Sequence, residues 1–511
     1  MGKITERIGG FLGSRGFASG TVTALVIAVI IVLNIIIYTL TSIFGLYIYS
    51  PMTYDYTLTG AMDELFEERV DDNTVVNVTF CMAREDLAAN GVGMFVLKTA
   101  EYYAERYPFI KLNFVNLLTK IDDEGNYVDL TKYQTDMRGN ETALRTSSVI
   151  FSSGEGAEEN YRVITDGRTS AGFSDFFSLN SDSQAYAYVG EEIFGSMVAW
   201  VLEREHKVAY FTGNHGETID IAFASLLSSA GYYIDTVNLR ENEVPDDAAM
   251  LVISNPTADF ERGSGIRAEI ERIESYLENG NGGSGGRLYV AIDPLADAMP
   301  TLEDFLSERC GITLSGGEGE YGYTRDIVYD STRSIALDSS AFIVDYGQGG
   351  LSADIQSSYK DIKSGGVLIA DVARLTLDES AEALLVSSEG AVSMRGGKTV
   401  SDEGSFVLAA YSKLEYDNSE AGVFVIPSAL LTNADLLVYN GYSNKEFVYS
   451  LLDQCFDASF SVYGTRSIVY DSGVVENLTQ QMSGIYTACL LLVPTALLCV
   501  GVFITVRRKN R

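Results

Sequence analysis

Cysteine and histidine are both scarce in this chain of 511 residues, with five of the first and two of the second. Cys489 and Cys499 fall inside an apolar run near the end, which leaves Cys81, Cys310 and Cys455, an odd number with no C-x-x-C pair. That is too little for a disulfide scaffold, so stability has to come from ordinary cores. Two histidines and dispersed cysteines also cannot assemble the usual ligands of a zinc site. Basic residues are few as well: 36 Lys and Arg against 70 Asp and Glu give a formal charge of −34. Such a surface repels nucleic acid and anionic headgroups, which excludes a nucleic-acid-binding role.

Several catalytic signatures are missing too. No G-x-S-x-G or G-x-C-x-G elbow follows a strand-like run; "GGSGG", Gly282 to Gly286, precedes one instead. A G-x-G-x-x-G fingerprint after a strand is absent, "TGNHGE" lacks the lysine of a phosphate-binding loop, and no EF-hand spacing occurs. No cofactor is expected.

Long apolar runs are present at both ends. Residues 20–49 carry no charge and exceed the roughly 20 residues that a helix needs to cross a bilayer. Residues 485–506 are also uncharged and long enough for one crossing, with Pro494 tolerated inside. The first run is too long for the apolar core of a signal peptide, and no small-residue cleavage site follows it. Lys3, Arg7 and Arg15 precede the first run, and Arg507, Arg508, Lys509 and Arg511 follow the second, so both termini are expected in the cytosol. The expected organisation is a cytoplasmic tail (1–19), a first transmembrane helix (20–49), extracytoplasmic α/β domains at 51–183 and 184–475, a second transmembrane helix (485–506) and a short cytoplasmic tail (507–511). The basic ends leave the portion between them more acidic still.

Between the spans, strand-like and helix-like runs alternate. "TVVNVTFCMA", "GMFVLKTAEYYAERYP" and "FIKLNFVNLL" predict strand, helix, strand, hence a parallel βαβ unit. From Lys207 the alternation is clearer: "KVAYFTG", "IAFASLLSSAG", "YYIDTVNL", "AAMLVISNP", "GIRAEIERIESYLENG" and "GRLYVAIDP" predict a parallel sheet covered on both faces. "NGNGGSGG", Asn279 to Gly286, is expected to be a mobile surface loop. The region 320–419 gives no clear fold.

In open α/β sheets, ligands collect beyond the carboxyl ends of the strands. Three polar loops sit at such ends: Gly213-Asn214-His215-Gly216-Glu217, the loop at Asn255, and the loop at Asp293. These seven residues are the candidate ligand or partner site. In a purely structural role, Gly213 and Gly216 supply positive φ, Asn214 tolerates it, Glu217 or Thr218 caps the next helix, and His215 is a replaceable turn residue. In a catalytic role, Glu217, Asp293 and His215 act as acid and base groups.

"VAYFTGNHGE", "VPDDAAMLVISNPTADF", "EIERIESYLENG" and "RLYVAIDP", together with the closing "NGYSNKEFVYSLLDQCF", resemble the GldG-like family of auxiliary, substrate-binding-like subunits of ABC transporters first associated with gliding motility. The resemblance implies a thioredoxin-like domain followed by a flavodoxin-like or class I glutamine-amidotransferase-like domain without catalytic residues. It also implies a separate ABC permease and ATPase as partners, beside the lipid bilayer, with the cargo left open. The expected function is therefore a non-enzymatic, membrane-anchored auxiliary subunit of an ABC-type transport or envelope system. The alternatives are a membrane-anchored hydrolase and a structural envelope protein.

Overall fold

A computed structural model describes residues 58–469, apart from 166–172, 180–184, 218, 320–321, 336–338 and 363–364. The two apolar runs and both tails lie outside the described residues. Among the described residues no helix is long and apolar enough to cross a membrane.

The first sheet is built from β1 (Val76–Phe80), β2 (Ile110–Asn116), β3 (Val149–Ser153) and β4 (Asn160–Ile164), with a short strand, Ile121–Asp122, on the outer edge of β2. β1 and β2 are parallel and joined by helix α1 (Gly93–Arg106), as the βαβ pattern predicts; β3 and β4 run antiparallel to their neighbours. Alternation decides which side is buried. Val76, Val78, Phe80, Val149 and Phe151 are inaccessible, whereas Asn77 and Thr79 point the other way and are half-buried. Helix α2 (Gly190–Leu202) packs on this sheet too, close enough to α1 that a side chain at Gly195 would meet Met62 and the Tyr103 hydroxyl. The opposite side is covered over part of its length by a small cluster around Cys81, Val115, Leu130 and Ile150.

The second sheet holds β5 (Val208–Thr212), β6 (Tyr233–Val237), β7 (Ala248–Ser254), β8 (Arg287–Ala291), β9 (Ile312–Leu314), β10 (Leu375–Leu377), β11 (Val407–Glu415) and β12 (Glu420–Ile426). Their spatial order is β9-β10-β11-β12-β8-β7-β5-β6. The five strands β6-β5-β7-β8-β12 are mutually parallel, and the rest add antiparallel pairs. Every residue of β5 and β7 is buried, the mark of strands covered on both faces. Leu251, Ile253, Val290 and Val425 share one core with Ile273 and Leu277 of α4 (Glu269–Gly283) and with Leu302 and Phe305 of the helix Pro300–Cys310. On the other face Phe211, Tyr289 and Phe424 meet Phe223 of α3 (Ile221–Ser229) and Phe456 of the helix Asn444–Phe456.

The glycine-rich stretch is not a free loop. α4 departs from helical geometry at Gly280, Asn281 and Gly282, and the chain then docks on the start of β12, where Glu420 N donates to Ser284 O and Gly422 N to Gly286 O. A Cβ at Gly285 would lie 2.4 Å from Glu420 O, so the glycines permit a close approach rather than a long excursion. In the segment that the sequence leaves without a clear fold, β-hairpins gather around Asp326. This inaccessible carboxylate accepts from Arg374 Nη2 at 2.8 Å and Arg395 Nε at 2.7 Å.

The two sheets belong to one compact unit. A buried ionic network joins them: Lys445 Nζ donates to Glu192 Oε2 (3.0 Å) and to Thr465 O (3.0 Å), and Tyr449 donates to Glu192 Oε1 (2.7 Å). Beside Lys445, Asn444 bonds both backbone groups of Leu368, so the closing segment "NGYSNKEFVYSLLDQCF" has structural work within the fold.

Candidate functional site

Counted along the chain, the parallel strands lie in the order 2-1-3-4-5, with the reversal between β5 and β7. That reversal is where doubly wound sheets open a crevice beyond the strand ends. The loop Gly213 to Glu217 leaves β5 and the loop at Asn255 leaves β7, so both sit at the switch point. The structure brings them together: His215 O accepts from Thr257 N (2.8 Å) and Ala258 N (2.9 Å). Gly213 N in turn donates to Val237 O of β6.

Instead of facing an open crevice, His215 is enclosed. Its side chain is 1% exposed and stacks on Phe260 with ring centroids 3.9 Å apart. Nδ1 lies 3.1 Å from Glu217 Oε1, and Nε2 lies 3.0 Å from Glu269 Oε1 at the first turn of α4, an ion-pair approach without the alignment of a hydrogen bond. Both carboxylates are shielded from solvent, at 3% and 0% exposure. Burial by itself would pull the imidazole pKa down, but the contact with Glu217 and the nearby charge of both carboxylates outweigh it and hold the value above the ordinary one. Burial likewise pushes Glu217 up, and its bonds to His215 outweigh that, so Glu217 lies below the usual range. Glu269 Oε2 accepts from Glu261 N at 2.8 Å, and Arg240 Nε stands 3.4 Å from its other oxygen.

The structure corrects three expectations about this loop. Gly213 does not have positive φ, and a Cβ there would meet nothing within 4 Å. The left-handed positions are Asn214 (φ 80°) and Gly216 (φ 77°), and a Cβ on Gly216 would lie 2.0 Å from Thr257 Oγ1. Glu217 is not a helix cap: it folds back to accept from His215 N at 2.6 Å and Thr212 Oγ1 at 2.9 Å, while Asp220 caps α3 by accepting from Ala222 N and Phe223 N. His215 is therefore a buried imidazole bridging two carboxylates, not an exchangeable turn residue.

Asn255 has φ 50°, donates its backbone N–H to Ala291 O, and holds its Oδ1 buried without a hydrogen-bond partner. Asp293 is used differently. Its carboxylate accepts from Leu295 N at 2.8 Å, and its loop is fastened by the inaccessible Arg325, whose guanidinium reaches Ala296 O at 2.6 Å and Glu303 at 2.6 Å. No hydrogen bond or ion pair joins Asp293 to His215 or Glu217. Sequence reading misses Glu269, Phe260 and Arg325, because none lies in the motif. An acid opening the helix after β7 signals the first of them, once that strand is known to neighbour β5.

The thiols are sealed as well: burial pushes Cys81 and Cys310 up to about 12, and Cys455 also rises. Among the described residues no group of three or more His, Cys, Asp or Glu is arranged to hold a metal. Comparison with known proteins adds no relative: no family model matches the chain, and no curated protein matches it significantly.

Proposed function

We propose that this protein is a non-enzymatic, membrane-anchored auxiliary subunit that works with a separate ABC permease and ATPase. On this reading β2-β1-β3-β4 with α1 and α2 is a thioredoxin-like unit, and the 2-1-3-4-5 sheet is a flavodoxin-like or class I amidotransferase-like unit. The apolar, uncharged runs at 20–49 and 485–506 serve as its anchors, with the acidic portion between them outside the cell.

One observation carries the non-catalytic part: the switch point is occupied by the protein's own side chains. A general base has to reach the proton it moves, directly or through one water. His215 is closed off by Phe260, Glu217 and Glu269, and Asp293 is engaged elsewhere. A loop locked in this way can still present a shaped surface to a partner.

Purification of the tagged full chain from its own membranes in mild detergent tests the reading. Co-purification of a many-helix permease and a nucleotide-binding subunit is expected. Recovery of the chain without either overturns it, as does hydrolase activity that co-elutes with the purified chain.

A further inference from the structure

The first sheet carries a concavity that the proposed function does not use. On the side away from α1 and α2, a groove of about 600 Å³ opens over Asn77 and Thr79 of β1, Asn113 of β2 and Ser152 of β3. The strand register puts these four residues on neighbouring positions, Asn77 opposite Ser152 and Thr79 opposite Asn113. The volume lies in the range of small-molecule sites, roughly 300–1,000 Å³.

The four side chains have little to bond to within the protein. One contact joins them, Asn113 Nδ2 to Asn77 Oδ1 at 3.4 Å, long for a hydrogen bond. Ser152 is 5% exposed and makes no side-chain hydrogen bond, nor does Thr79. Beside them the same sheet face is apolar and covered, by the cluster around Cys81, Val115 and Ile150. Polar residues with unused donors and acceptors therefore line the open part of a face that is elsewhere built for packing.

Chemistry narrows the occupant. An anion would face a rim containing Asp122, Asp123, Glu124 and Glu155, while the nearby cations are engaged, Lys132 with Glu159 and Arg84 with Glu101. A peptide adding as a strand needs a sheet edge, and this is a face. Amides and hydroxyls that both donate and accept suit a neutral ligand carrying several adjacent hydroxyls. Tyr133 adds an aromatic wall. We propose that this groove binds a neutral saccharide through Asn77, Asn113, Thr79 and Ser152, a site independent of any transporter partnership.

The test uses the full chain in a detergent without a sugar headgroup, titrated with neutral oligosaccharides of hexose and of N-acetylhexosamine and, in parallel, with sulfated ones. Neutral oligosaccharide binding is expected, weakened about tenfold or more by Asn77→Val, which loses hydrogen bonds worth that factor. Asn113→Asp, at an exposed strand position, keeps the fold and one acceptor set while losing the amide donors, and is expected to weaken binding as well. The proposal is overturned if no neutral oligosaccharide binds below about 10 mM, if sulfated ones bind better, or if both variants bind like the parent.

Discussion

The two histidines of this chain both stack on an aromatic ring and have pKa values displaced in opposite directions. His206 stacks on Trp200 with centroids 3.6 Å apart, and His215 stacks on Phe260 at 3.9 Å. What differs is the next neighbour. His206 Nε2 meets the neutral Asn160 Oδ1 at 3.1 Å, and the guanidinium of Arg162 lies over the Trp200 ring, 4.9 Å from its centroid. Burial, reinforced by Arg162, pushes His206 down to about 4. His215 has two carboxylates instead and is held up. Desolvation lowers both pKa values, and only at His215 do neighbouring carboxylates outweigh it. His206 belongs to the seam between the two sheets, where Arg162 of β4 also donates to Ser228 Oγ at 2.7 Å. His215 belongs to the switch point. One histidine packs in a seam, and the other bridges two buried carboxylates.

The sharpest way to break this contrast is His215→Asn. Removing one partner of a buried ionic group costs about 3–5 kcal/mol, because the charge left behind stays desolvated. Glu217 and Glu269 would then face each other with Arg240 alone nearby. Thermal and urea unfolding should show a loss of that size, and adding Glu217→Gln should recover part of it. A loss under about 1 kcal/mol, the scale of a surface pair, would mean that the imidazole is neutral and the ion-pair account is wrong.

Next in size is a pair of glycine substitutions in the same loop. Gly216→Ala puts a Cβ at φ 77° and against Thr257 Oγ1, so a loss of about 1–3 kcal/mol is expected from strain, with the contact adding to it. Gly213→Ala should change stability by less than about 0.5 kcal/mol, like an ordinary surface substitution. Measured melting temperatures in the reverse order would show that the turn is assigned to the wrong glycine.

These two glycines also show where sequence stops being informative. The alternation from Lys207 to Pro294 carries the strand and helix identities, since β5, β7 and β8 read as continuous apolar runs and α4 as a helical stripe. From that pattern a parallel sheet follows, and with it the location of the polar loops at strand ends. Which glycine needs positive φ does not follow, because both stand in a turn and only the path of the chain toward Thr257 separates them. Glu269 is invisible for a different reason: it lies 54 positions beyond His215 in the numbering, and strand order alone makes them neighbours. The segment around Asp326 is the extreme case. Its strands are short and rich in glycine and serine, so periodicity is weak. What holds them is a buried carboxylate shared by arginines about 50 and 70 positions away.

The third prediction uses pH to separate the histidines without mutation. His215 has a raised pKa, so its contribution to stability is complete below the unfolded value near 6.5 and is lost as pH rises through the folded value. His206 has a depressed pKa, so its contribution is complete above about 6.5 and is lost as pH falls toward about 4. Melting temperature should therefore decline on both sides of a maximum, with His215→Asn removing part of the alkaline decline. An alkaline limb identical in the variant would contradict the raised value.

The smallest effect is expected from His206→Phe. Phenylalanine keeps an aromatic ring against Trp200 and Tyr233 and gives up the hydrogen bond with Asn160, a loss of about 0.5–1.5 kcal/mol offset by the more apolar ring. Asn160 retains its bonds from Nδ2 to Val201 O and Glu203 O, so its side chain stays in place. Stability at pH 7.5 should then match the parent to within about 1 kcal/mol. Between pH 6.5 and about 4 the variant should lose less stability than the parent, because the ring that takes up a proton on unfolding is gone. If the acid limbs of the two proteins superimpose, folding does not shift the His206 pKa, and neither burial nor the guanidinium of Arg162 governs it. The two histidines would then differ in their neighbours, with a shift at His215 alone.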